Sequence, residues 1–190
     1  MARQSDGVRW QRLFDDLEAQ LAAADAAELA DEVRDRTRRE TALLGLRERL
    51  VVGAQVTLAV HGAGTVRGPV LDVGPDWLLV EEAHGREVLV PARSVLAVGG
   101  LGREAEVPGA DGEVGARLDL RVALRALVRS RSAVVVVLVD GSERSGTLDR
   151  VGSDHVDLAE HPVGEARRAG AVRQVVAVPL TAIALVRSGS

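Results

Sequence analysis

Two stretches of the chain, residues 55–98 and 133–186, alternate apolar and polar residues in short runs punctuated by glycine, proline and aspartate. A period of two marks a half-buried strand. The first stretch divides into VTLAV, TVRGPVLDV, DWLLVEE, EVLVP and SVLAV, the second into VVVVLV, ERSGTLDRV, HVDLAEH, QVVAVP and AIALV. The unbroken apolar run from Val134 to Val139 predicts a strand covered on both faces. Gly68, Gly74, Asp76, Leu78 and Val80 stand opposite Gly146, Gly152, Asp154, Val156 and Leu158 at an offset of 78. After a ten-residue insertion, Val88, Val90, Pro91 and Val95 stand opposite Val176, Val178, Pro179 and Ile183. Glycines, aspartates and apolar positions all keep register, which identifies an internal duplication. A glycine inside the second strand of each copy, Gly68 or Gly146, permits the sharp bend that curls a small sheet into a barrel.

Helical periodicity comes before each copy. Trp10, Phe14, Leu17, Leu21 and Ala24 repeat at spacings of four and three within residues 8–39, behind Ser5 or Asp6 as N-cap. The stripe then shifts to Ala26, Leu29 and Val33 and ends in the basic cluster Arg34, Arg36, Arg38 and Arg39. A helix of roughly 30 residues spans about 45 Å, longer than a small barrel, so part of it is expected to reach a partner chain or lie across both copies. Shorter helices are predicted at about 41–51 and 118–130. The expected fold is therefore α+β, mostly β: two tandem five-stranded bent β-barrels, each preceded by a helix, plus a long N-terminal amphipathic helix. The boundaries fall at 1–39 for that helix, 40–101 for the first barrel, 102–115 for a Gly-rich linker and 116–190 for the second barrel.

Composition narrows the chemistry. The 46% of hydrophobic residues are nearly all Val, Leu and Ala, so the cores are expected to be aliphatic, without aromatic cofactor boxes. All 24 basic residues are arginine, and asparagine is absent too, a pattern that matches codon usage in a high-G+C bacterial genome. The all-arginine set is therefore not by itself a sign of phosphate binding. With no cysteine there is no disulfide framework, thiol nucleophile or cysteine zinc site. The N-terminus lacks an apolar signal core and no apolar run approaches about 18 residues, so a cytoplasmic protein without a membrane partner is expected. The net charge of -4 argues against nonspecific nucleic-acid binding by the chain as a whole. Four scattered histidines and the absence of any nucleophile with a partner set leave no catalytic residue, metal site or cofactor to expect.

The order of elements, with GTLDRVGSDHVDL carrying the bent second strand, turn and third strand and VPLTAIALV the final pair, resembles the Sm-like family, which includes the Sm, LSm and bacterial Hfq proteins. The resemblance covers about 40–101 and 116–190. It implies small-barrel folds and RNA binding from two turns in each copy. Those turns would be Gly74-Pro75-Asp76-Trp77 and Ala92-Arg93-Ser94 in the first copy, and Gly152-Ser153-Asp154-His155 and Leu180-Thr181-Ala182 in the second. An RNA-binding use would stack bases on Trp77 and His155, and would bond base edges or phosphate through Asp76, Asp154 and Arg93. The family's asparagine in the first turn and its Arg-Gly in the second are both absent here.

Arg117, Arg121, Arg125 and Arg129 form a stripe at spacings of four along the predicted second-copy helix, readable as a phosphate-tracking face, as an ordinary solvated face or as partners for the acidic N-terminal helix. The functional expectation is a noncatalytic scaffold. It would associate with itself or another protein through Trp10, Leu13, Phe14, Leu17 and Leu21 of the N-terminal helix and through barrel strand edges. The alternatives are a tandem RNA-binding protein and, behind it, a DNA-binding regulator, which would need residues 133–148 to be helical.

Overall fold

The computed structural model describes residues 18, 20, 28, 29, 31–39, 42, 44–102, 118–162 and 172–189. The chain divides into two compact units, Met1–Gly45 and Leu46–Ser190. In the first, the longest described helical run is 31–39, with Arg34 paired to Asp31 at 2.5 Å and Arg38 to Asp35 at 3.4 Å. Residues 18, 20, 28 and 29 are helical as well, and the remainder of the long amphipathic helix expected over 8–39 lies outside the described residues. Leu29 and Val33 are exposed, so the run buries no apolar face, the usual source of helix stability in a folded protein. Trp10, Leu13, Phe14, Leu17 and Leu21 lie outside the described residues, as do most of the 102–115 linker and the centre of the insertion.

The second unit is one sheet. Its strands are β1 (Gln55–Val60), β2 (Gly64–Val73), β3 (Trp77–Glu82), β4 (Arg86–Pro91) and β5 (Val95–Gly99) in the first copy. In the second copy come the helix α1 (Leu120–Ser130) and then β6 (Ala133–Leu138), β7 (Glu143–Val151), β8 (His155–Glu160), β9 (Gln174–Pro179) and β10 (Ile183–Ser188). Residues 133–148 are thus strand and turn, and the helix that a DNA-binding regulator would need there is absent. All ten strands pair antiparallel in the order β5-β1-β2-β3-β4-β10-β6-β7-β8-β9. The two closed barrels expected from the sequence are therefore not formed. In neither copy does the fourth strand pair with the fifth. Instead β4 of the first copy pairs with β10, the last strand of the second, with Val186 opposite Leu89 and Arg187 opposite Val88. Alternation and bending glycines dictate curvature, but not which edge a strand pairs with, and the seam takes up the edges that closure would have used.

The duplication reaches fine detail. The register shifts between Val70 and Asp72 in β2 and between Leu148 and Arg150 in β7, at equivalent positions. A Cβ on Gly68 would run into the carbonyl oxygen of Glu81, and one on Gly146 into that of Ala159, again equivalent residues. Each glycine lets the third strand's backbone cross close over the bent second strand. The helices differ. Where a helix was expected at 41–51, residue 42 is helical, but residues 44 and 45 are not, and the described residues after them form only a 3₁₀ turn, Arg47–Arg49. Gly45 stands where the second copy has Ala123, a difference of about 1 kcal/mol in helix propensity.

The two cores interpenetrate at the seam. Val137, Ala184 and Leu185 of the second copy pack with Leu58, Val66, Val80 and Val88 of the first. Trp77 and Leu89 of the first copy pack with Leu120, Leu124, Leu148 and Ile183 of the second. Val136 and Val137, which point to opposite faces of β6, are both buried.

Gly68→Ala and Gly146→Ala are each expected to lower unfolding free energy by about 1–3 kcal/mol, the cost of overpacking. Gly99→Ala, whose Cβ would meet only Thr57 at 3.8 Å, serves as the near-neutral control. Urea titrations of the three variants check this.

Candidate functional site

The first-copy turn is turned inward, onto the second copy. Trp77 is 8% exposed, its indole lies over Gly74 where a Cβ would collide with the ring, and Nε1 donates to the Leu118 carbonyl at 2.7 Å. Asp76 Oδ1 accepts from the Leu120 backbone N–H at 2.7 Å, and its carbonyl accepts from Ala92 N–H at 2.8 Å. The Asp76 carboxylate thus satisfies a backbone donor in the first turn of α1 that has no partner within the helix. Asp119 supplies the regular cap, accepting from Val122 N–H at 3.1 Å. Burial pushes the Asp119 carboxyl up, but hydrogen bonds from Arg121 and Val122 and the charges of Arg121 and Arg125 outweigh it and hold it below the usual range.

Arg93 reaches across as well, donating to the Leu180 carbonyl of the second-copy turn. Burial lowers the pKa of its guanidinium and the charge of Asp76 opposes that shift. Beside it the buried Ser94 hydroxyl donates to the Ile183 carbonyl at 3.0 Å. Asp76, Trp77 and Arg93, read from the sequence as a base-binding set, are therefore brought together, and each is engaged in fastening the two copies.

Their counterparts in the second copy face outward. Asp154 is 85% exposed and His155 37%. His155 Nδ1 lies 2.8 Å from Asp154 Oδ1, Nε2 lies 3.8 Å from Asp157 Oδ1, and Arg150 Nε donates to Asp157 Oδ2 at 2.9 Å. The hydrogen bond with His155 holds the Asp154 carboxyl below the ordinary carboxylate range. Gly152 underlies the His155 ring as Gly74 underlies Trp77. Among the described residues, no group of three or more His, Asp or Glu side chains is gathered so as to hold a metal, and no helix is long and apolar enough to cross a membrane.

On α1, Arg121 pairs with Asp119 at 2.6 Å. Arg125 and Arg129 are exposed and make no hydrogen bond or ion pair with any described residue, and Arg117 lies outside the described residues.

Two further features escaped the sequence reading. Arg187 on β10 lies 3.4 Å from Glu82 of the first copy and 3.7 Å from Glu143 of the second, a charge bridge over the seam that no local pattern signals. The second is the contrast between the used and unused edges. In β10, residues 183–186 are all buried, and Ala184 is 0% exposed. In β5, the equivalent residues 95–98 are half-buried or exposed, and Leu96, opposite Ala184, is 68% exposed. Val88 and Leu89 of β4 are likewise buried, whereas their equivalents in β9, Val176 and Ala177, are half-buried and exposed, with Val175 beside them 58% exposed. Comparing occupied with unoccupied strands in aligned repeats would have located these edges once the seam was known.

No protein-family model matches the chain, and no curated protein matches it in sequence.

Asp76→Ala is expected to lower unfolding free energy by about 0.5–2 kcal/mol, the range for losing a helix cap. Asp154→Ala, which removes the equivalent but outward-facing carboxylate, is expected to leave it within about 0.5 kcal/mol of the wild type. Denaturant midpoints of the pair check the asymmetry.

Proposed function

We propose that the chain is a noncatalytic scaffold that assembles proteins by adding strands to the two outer edges of its sheet, β5 and β9, and that a further copy of the chain is one such partner. The observation carrying this reading is the exposure of Leu96 on β5 where Ala184, its equivalent on β10, is fully buried in a core shared with the other copy. An apolar side chain beside unpaired backbone N–H and C=O groups is a template for strand addition. The β4–β10 seam indicates how a second copy fits: β9 of one chain against β5 of the next, with Ala177 opposite Val98 and Val176 opposite Gly99. Such a contact is heterologous, so it propagates into a ring or a filament. Kinship of each copy with the Sm-like family belongs to the same proposal. It is supported by the shared order of elements and by the glycines of the bent second strand.

An RNA-reading role for the turns has less behind it, because Trp77, Asp76 and Arg93 are engaged at the seam. The scaffold reading predicts a mass in solution that rises with concentration above that of one chain. Leu96→Lys and Ala177→Lys, at exposed edge positions, should each return it toward the monomer without loss of fold. A monomer mass at every concentration would refute edge assembly. A mobility shift of total cellular RNA at about 50 mM salt, where phosphate contacts are strongest, would favour the RNA alternative.

A further inference from the structure

The seam creates a groove that neither copy has alone. It lies between α1 and strands β3 and β4, has a volume of about 310 Å³, and is walled by Trp77, Leu79, Leu89, Leu118, Ala126 and Leu127. Leu118 and Ala126 are exposed along it, and Leu79 and Leu127 are half-buried. Charge enters only at the rim, through Glu87 on β4 and Arg129 on α1. Arg125, one turn before Arg129 on the same helix, extends the basic side of that rim. A small polar ligand would need several convergent donors and acceptors in the wall, and the wall is apolar. The arrangement instead suits a helix that lays an apolar stripe into the groove and presents carboxylates to the arginines.

Such a helix is written in this sequence. From Leu13 to Leu29 there are five acidic residues, Asp15, Asp16, Glu18, Asp25 and Glu28, and no basic one. Phe14, Leu17 and Leu21 recur there at helical spacing and cover about 10 Å of helix axis, as do the seven steps from Val122 to Arg129 along α1. We propose that the groove between α1 and β3–β4 docks an acidic amphipathic helix from another chain, of the kind encoded at Leu13–Leu29, with Arg125 and Arg129 pairing its carboxylates. The site is separate from the strand edges and does not depend on edge assembly.

The test is fluorescence anisotropy of a labelled synthetic peptide of residues 13–29 titrated with the full-length protein. Saturable binding is expected, weakening as salt rises. The double variant Arg125→Glu/Arg129→Glu, at exposed positions, should weaken binding by about tenfold or more. Ala126→Glu, which places a like charge in the groove, should weaken it too. A peptide with Asp15, Asp16 and Glu18 replaced by lysine should not bind. The Leu96→Lys protein should bind as the wild type does, so the groove and the edges can fail independently. Absence of binding, or equal binding of the lysine peptide, overturns the proposal. So does a mixed-sequence single-stranded RNA that binds through the same two arginines while the acidic peptide does not.

Discussion

The pairing of β4 with β10 is short, two registered residue pairs, yet it sets the surroundings of almost everything else in the Leu46–Ser190 unit. It joins the strands of both copies into one sheet, brings the first-copy turn up against the start of α1, and places Arg187 between Glu82 and Glu143. Small domains bury proportionally little surface. The seam answers that shortage by making each core partly out of the other copy: Val137, Ala184 and Leu185 on one side, Trp77 and Leu89 on the other. Unfolding one copy would strip the other of buried apolar area, so the two are expected to melt together.

The seam also breaks the equivalence that duplication creates. Asp76 and Asp154 occupy the same position in their repeats, as do Trp77 and His155. One pair is spent on the contact, bonded to Leu120 and Leu118, and the other is left at the surface with local partners only. The same asymmetry divides the edges, because one edge of each type is paired and the other has no strand partner among the described residues. Duplication followed by pairing thus yields a chain with two different ends, a geometry suited to directional assembly and to a groove that exists only between unlike neighbours.

Much of the strand content was legible. The ten runs of alternating residues correspond to the ten strands, because a half-buried strand must alternate, and the repeat offset carries even the bulges at Leu71 and Asp149. The helix α1 was legible too, from Leu120, Leu124 and Leu127 at helical spacing behind Asp119. The first-copy helix was not, since a lone Gly45 in an apolar-periodic stretch signals a cost without deciding the outcome. The candidate turns were found at the right positions but given the wrong surroundings: nothing beside Trp77 in the sequence announces the Leu118 carbonyl 41 residues away.

By itself the sequence determined local conformation and the duplication, because periodicity, bend-permitting glycines and turn residues act over a few neighbours along the chain. Tertiary structure alone decided whether each five-stranded unit closed on itself or opened to its twin. That choice is a competition between strand edges with the same backbone hydrogen-bonding groups, and it is settled by groups such as the Arg187 and Glu82 side chains, the Trp77 indole and the Leu118 carbonyl that meet only after folding.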